Sequence, residues 1–186
     1  MILRHSLTEA NESNVFIVGC EESREALMVD AGGYDRAMAG FLDEQGLRLT
    51  TIFITHDHYD HTGGLAEAAA RDGAVVLAGG SRAGGMRAQT VRHGDTVRAG
   101  ALTGKVLATP GHTPDSVSLA FPGHVFTGDA LFAGSVGGTA SSSAARQQIA
   151  YLRDNILSLP PETEIHPGHG PSSTVAIERR SNPFLA

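Results

Sequence analysis

The most constraining feature of this chain is a continuous run of apolar and β-branched residues, Thr51-Ile-Phe-Ile-Thr55, that passes directly into His56-Asp-His58-Tyr-Asp60-His61-Thr-Gly-Gly64. A short run without polar alternation reads as a strand buried on both faces, as in a sheet covered on either side. The polar residues that follow therefore stand at a strand end, where Gly63 and Gly64 allow the chain to turn from strand to helix. A histidine at that end, a second two residues on and an Asp-His pair beyond can converge on one point. Pro110-Gly-His112 and His166-Pro-Gly-His169 also follow apolar runs, so that six of the nine histidines lie in three glycine-flanked clusters. Imidazole nitrogen and carboxylate oxygen are donors that Zn²⁺ and iron accept. Asp129, after Phe126-Thr-Gly128 at the end of another run, is placed to supply one more carboxylate.

The remaining sequence sets these clusters in a layered α/β pattern. Strands are expected over 15–20 and 26–30, on either side of a polar turn. A helix follows over 34–47, with apolar Ala37, Met38, Phe41 and Leu42 at helical spacing and Gly46 at its C-terminal cap. The next elements are a helix over 65–71 and a strand over 74–78. Short strands come after Gly94, over 96–98, 105–109, 116–121 and 124–127, the last two joined by the hairpin signal Pro122-Gly123. A helix over 144–157, a strand over 164–166 and a terminal helix over 173–180 with Ser or Thr as N-cap complete the pattern. No composition break or linker divides the 186 residues, about the size of one compact domain, and a single domain over 1–186 is expected.

Composition narrows the partners. With 41% hydrophobic and 18% charged residues the chain belongs among ordinary globular proteins. No stretch approaches the ~20 apolar residues of a spanning helix, so no membrane partner is expected. The N-terminal residues lack the apolar core of a signal peptide, and a cytoplasmic location is expected. Cys20 is the only cysteine, cannot form an internal disulfide and is expected to be buried. The net charge of −6, with Lys105 the only lysine and the arginines scattered, argues against nucleic acid as a partner.

Taken in order, Thr55-His-Asp-His-Tyr-Asp-His-Thr-Gly-Gly64, Thr109-Pro-Gly-His-Thr113, Phe126-Thr-Gly-Asp129 and Pro167-Gly-His-Gly170 resemble the successive motifs of the metallo-β-lactamase superfamily, across nearly the whole chain. Within it the likeness is to glyoxalase II-type (hydroxyacylglutathione) thioester hydrolases, especially a short bacterial branch with a similar tail after Gly168. The resemblance implies a four-layered αβ/βα sandwich with two divalent metal ions at one edge, zinc foremost and iron or manganese as alternatives. It places His56, His58 and His112 on the first metal, Asp60, His61 and His169 on the second, and Asp129 between them. Asp30 resembles the superfamily's first acidic motif, which supports the ligand histidines by hydrogen bonding. His166 is expected to be structural or to stand behind the ligands, and His5, His93 and His124 to be surface residues.

Two metals that share a water lower its pKa toward neutrality, so a bridging hydroxide is the implied nucleophile and no serine or cysteine is required. Asp60 would orient the hydroxide as well as bind metal, and the substrate would be a small-molecule thioester, S-lactoylglutathione or a relative of it. Longer glyoxalase II enzymes carry a C-terminal helical domain that contacts glutathione, and no such domain is expected within 1–186. Their basic and aromatic segment after the bridging Asp is replaced here by Ala133-Gly-Ser-Val-Gly-Gly-Thr-Ala-Ser-Ser-Ser143, read either as a lip over the site or as a mobile surface loop. Arg179 and Arg180 are read as a solvated helix face or as contacts to a substrate carboxylate. The competing reading in another reaction class is a mononuclear iron persulfide dioxygenase using His56, His112 and Asp129. A lactonase would use the same ligand set. A β-lactamase is disfavoured because those enzymes place Cys or Ser at the position of Asp129, and an RNA-processing nuclease by the acidic charge. A scaffold that keeps metal only for stability is the non-enzyme reading.

Overall fold

The computed structural model describes residues 1–185. In its first half lie β1 (Ile2–Leu7), β2 (Asn14–Gly19), β3 (Glu25–Val29), α1 (Arg36–Glu44), β4 (Arg48–Ile54), α2 (Tyr59–Thr62), α3 (Leu65–Asp72), β5 (Val75–Ala78), β6 (Arg82–Ala83), β7 (Met86–Arg87) and β8 (Gln89–Thr90). The second half holds β9 (Thr96–Ala99), β10 (Leu102–Ala108), β11 (Val117–Phe121), β12 (His124–Gly128), β13 (Leu131–Phe132), β14 (Ser135–Val136), α4 (Ser142–Tyr151) with a π-helical turn over Leu152–Ile156, β15 (Glu164–Pro167), β16 (Ser173–Thr174) and α5 (Val175–Ser181).

Two six-stranded sheets result, in the orders β1-β2-β3-β4-β5-β8 and β16-β15-β12-β11-β10-β9. Because successive strand residues face opposite ways, each inner strand supplies two cores. Val15, Ile17, Met28, Ile52 and Ile54 pack with Met38 and Leu42 of α1 and Leu65 and Ala68 of α3. Their strand neighbours Phe16, Val18, Leu27, Val29 and Phe53 meet Val97, Val106, Leu119 and Phe126 of the second sheet. On that sheet's outer face Val125 and Ile165 pack with Leu152, Ile156 and Val175. The layers are thus helix, sheet, sheet, helix, the four-layered αβ/βα sandwich expected.

The direction of the strands positions the site. β3, β4 and β5 run parallel, as do β12 and β15. β10 shares the direction of β12, since both pair antiparallel with β11. Asp30, His56, His112, Asp129 and His169 all follow the C-terminal ends of these strands, the rim where open α/β sheets place their ligands.

Local chemistry accounts for most boundaries. Asp35, Ser141 and Thr174 cap α1, α4 and α5 with side chains that accept from the third backbone N–H beyond. Gly123 turns the β11–β12 hairpin at φ +81°. The structure also differs from expectation. The helix anticipated over 144–157 starts at Ser142 and passes into the π turn at Leu152, where Leu152 and Ile156 both face the core. β1 and the short strands between Gly79 and Val91 carry too few apolar residues to stand out in the sequence. Among the described residues no helix is long and apolar enough to cross a membrane.

Candidate metal centre

Asp30 organises the rim. It sits in the left-handed region at φ +58° and is 2% exposed. Its Oδ1 accepts from the Thr55 backbone N–H at 2.8 Å, and its Oδ2 accepts from Thr55 Oγ1 and from His61 Nδ1, each at 2.9 Å. This carboxylate joins the ends of β3 and β4 and sets the plane of the His61 ring. One helical turn, α2, then carries Asp60 and His61 back toward the strand end. Gly32 N-terminal of it and Gly168 on the far side are held close. A Cβ on Gly168 would stand 2.2 Å from Asp129 Oδ1 and 2.6 Å from His61 Cε1, so only glycine lets this loop cross the site.

The structure brings all seven sequence-predicted residues together. His58 Nδ1 lies 3.1 Å from both His56 Nε2 and His112 Nε2. His169 Nε2 lies 3.4 Å from Asp60 Oδ2, and the two form a second group with His61. Asp129 stands between the groups, with Oδ1 at 3.3 Å from His61 Nε2 and Oδ2 at 3.6 Å from both His112 Nε2 and His169 Nε2 and 3.9 Å from His56 Nε2. Ligand atoms ~2.0–2.1 Å from one ion with tetrahedral angles are about 3.3 Å apart, close to these separations.

Hydrogen bonding on the far side of the rings supports this arrangement. His61 Nδ1 donates to Asp30, and His112 Nδ1 donates to the Gly138 carbonyl at 2.7 Å. Each leaves an Nε2 lone pair facing inward, the habit of metal-binding histidines. His61 Nε2 and Asp129 Oδ1 are fully buried and make no hydrogen bond among the described residues. Buried polar atoms are rarely left so, and two of them aimed at a common point are what a cation would satisfy. The donor set fits a pair of divalent ions.

The charges agree. Burial is the largest influence on His61 and disfavours its cationic form, yet the Asp30 and Asp129 carboxylates outweigh it and lift the pKa to about 10. The pocket thus favours positive charge at this point, either a proton on Nε2 or a cation bound by the Nε2 lone pair in its place. His56 moves the other way, to about 4, through burial and then the neighbouring His61. Burial opposes ionisation of Asp129, but His61, His56 and His169 together hold its carboxyl below the usual range. Asp60 is likewise held low despite burial, chiefly by the Asn11 amide, whose Nδ2 donates to Oδ2 at 3.1 Å.

Several polar residues that position the site were not singled out from sequence. Asn11 (φ +51°) holds Asp60 by its side chain, and Ser13 Oγ donates to the Asp60 carbonyl at 2.6 Å. Asn14 Nδ2 donates to the Pro167 and Gly170 carbonyls, both at 2.9 Å, and pins the loop that carries His169. Gln148 Nε2 donates to the carbonyls of Ala130 and Gly137, at 3.0 and 3.1 Å, which ties α4 beneath the site. The only hint in sequence is the cluster of Asn and Ser between β1 and β2.

Two expectations are corrected. The segment after Asp129 is neither a free lip nor a loose loop at its start. It forms the β13–β14 hairpin, and its Gly137 and Gly138 carbonyls are held by Gln148 and His112. Arg179 is exposed, as the solvated-face reading has it, and its guanidinium donates to the Leu157 and Leu159 carbonyls at the end of the π turn. His124 is half-buried rather than a surface residue, whereas His5 is exposed as expected. His124 stacks on the buried His166, and His5 stacks on Phe16 and bonds Asn14 Oδ1 at 2.7 Å. Cys20 is buried and Asp30 supports His61, both as expected.

Residues 9–169 match the family model of the metallo-beta-lactamase superfamily. The hydroxyacylglutathione hydrolase of Gloeobacter violaceus is 36% identical over 90% of this chain and 68% of its own length. The chain spans 51% to 68% of the length of curated relatives bearing that name. Among solved structures, ETHE1 from Myxococcus xanthus superposes with a TM-score of 0.88 at 37% identity, covering 98% of this chain and 84% of that one. TTHA1623 in a di-iron-bound form superposes with a TM-score of 0.82 at 29% identity, covering 98% of this chain and all of the other.

Proposed function

The chain belongs to the metallo-beta-lactamase superfamily, and on that basis we propose that it is a metal-dependent thioester hydrolase of the hydroxyacylglutathione class. The observation that carries the reading is Asp129 standing between two separate three-donor groups, His56, His58 and His112 on one side and Asp60, His61 and His169 on the other. These seven residues would hold two divalent ions. When bound, such a pair lowers the pKa of water toward neutrality and polarises a carbonyl.

The chain's own residues do the rest. Asp60, kept ionised and oriented by Asn11 and Ser13, presents Oδ2 to accept a hydrogen bond from the attacking water. Asp30 and the Gly138 carbonyl hold the His61 and His112 rings in the tautomers that face inward. Water adds to the acyl carbon and the C–S bond breaks; one proton of the water goes to the departing sulfur and the other to solvent, and a carboxylate and a thiol leave. A groove of about 300 Å³ lined by Val136, Gly137, Gly138, Ala145, Ile149 and Phe184 adjoins His112 through Gly138 and offers an apolar wall to one arm of the substrate.

Hydrolysis of S-lactoylglutathione by protein purified without chelator, with two metal ions per chain by elemental analysis, is the expected result. The ETHE1 likeness favours one further reading, a mononuclear iron persulfide dioxygenase using His56, His112 and Asp129. One iron per chain, oxygen uptake with glutathione persulfide and no thioester cleavage would establish that reading instead.

A further inference from the structure

The N-terminal end of β12, opposite Asp129, carries a second convergence of nitrogen and carboxylate donors. His124 opens β12 and is in register with Glu164 of the parallel neighbour β15, while Phe126 is in register with His166. Residues two apart on a strand share a face, so Glu164 and His166 lie along one side of His124. His124 Nδ1 is 3.0 Å from His166 Nε2, and Glu164 Oε2 is 3.6 Å from the former and 3.7 Å from the latter.

These separations fit a common ion. Donors ~2.1 Å from one centre stand about 3.0 Å apart at a right angle and about 3.4 Å apart at the tetrahedral angle. His166 is built as a ligand would be. Its Nδ1 lies 3.1 Å from Ser172 Oγ, to which it can donate, leaving the Nε2 lone pair directed at the other two groups. Phe126 stacks on it at 4.9 Å and Phe16 tilts against it at 5.2 Å, so the ring is held in place at 4% exposure. The Glu164 side chain is 55% exposed, which leaves one side open to water. Two imidazoles with one carboxylate suit late first-row cations and not Mg²⁺ or Ca²⁺, which require oxygen.

We propose that His124, Glu164 and His166 form a peripheral site for a divalent transition-metal ion, with Zn²⁺ the representative. Five strand residues at ~3.3 Å each put about 16 Å of backbone between His124 and Asp129, so the site is separate from the seven-residue centre. An ion there would clamp β12 to β15 beside Ser172, at the base of the loop that presents His169.

The test is a Zn²⁺ titration of the full-length, chelator-stripped chain against a chromophoric chelator. The wild type should take up one more equivalent than Glu164→Gln, in which that equivalent is weakened by more than ~10-fold, and His124→Ala should lose it. The Asp129→Ala chain, disabled at the other centre, should keep this equivalent and lose it when Glu164→Gln is added, which separates the proposal from the hydrolase reading. Equal zinc uptake by wild type, Glu164→Gln and His124→Ala overturns it. So does a ¹⁵N spectrum at zinc saturation in which the His124 and His166 rings still share a proton.

Discussion

Asp30→Asn tests how the rim holds the metal-facing histidines. Asparagine tolerates the left-handed backbone at φ +58°, so the β3 end is retained and only the chemistry of the side chain changes. The carboxylate accepts three hydrogen bonds, from the Thr55 N–H, Thr55 Oγ1 and His61 Nδ1. An amide offers one acceptor oxygen, and its NH₂ must face either the Thr55 N–H or His61. In the second orientation the His61 proton is driven to Nε2, the buried atom 3.3 Å from Asp129 Oδ1. A charge-assisted bond is worth about 1.5–3 kcal/mol. At ~1.4 kcal/mol per tenfold, the group of Asp60, His61 and His169 should lose about 10- to 100-fold in zinc affinity. The group of His56, His58 and His112 should change far less. Stepwise zinc constants from chelator competition, with circular dichroism to confirm the fold, provide the measurement. Both constants within ~3-fold of wild type would refute the account of Asp30 as the residue that sets the His61 tautomer.

Three further outcomes are expected. His169→Ala should lose one of the two ions of the centre while Asp129→Ala abolishes thioester hydrolysis, both read by elemental analysis beside activity. Gly168→Ala, whose Cβ meets Asp129 Oδ1 at 2.2 Å, should destabilise the fold by about 1–3 kcal/mol and depress activity, whereas Gly40→Ala, with open space around its Cβ, should do neither. His166 has a folded pKa of about 4 against an ordinary 6.5, through burial and the neighbouring His124 and His5. The unfolded chain therefore binds the proton first as pH falls. Stability from this group is full above pH 6.5 and is lost toward pH 4, by up to about 3 kcal/mol. Urea unfolding of the chelator-treated protein at pH 7 and 4.5 should show a shallower fall for His166→Gln than for wild type, and an equal fall would contradict this assignment.

Much of the architecture was legible because burial leaves a local period in sequence. Residues 15–20 read as a strand because their apolar run is continuous, and in the fold Val15 and Ile17 face the helices while Phe16 and Val18 face the second sheet. The three histidine clusters and Asp129 were visible because each follows such a strand, and strands sharing a direction end on one rim. The Ser or Thr cap expected for the terminal helix is Thr174, whose side chain accepts from the backbone N–H three residues on.

Contacts between distant polar residues were not legible, for they depend on which loops the folded sheets bring together. Asn11 reaches Asp60 across 49 residues, Asn14 reaches Gly170 across 156, and His124 meets His166 across 42. Arg179, though exposed, donates to the Leu157 carbonyl across 22 residues. The sequence by itself therefore determined the layers, the rim and the residue types gathered there, all consequences of burial and strand direction. Only the tertiary structure decided which nitrogen of each ring faces inward and which polar side chains hold Asp60, His61 and His166, because hydrogen bonds a few ångströms long depend on register and loop path, which no local pattern encodes.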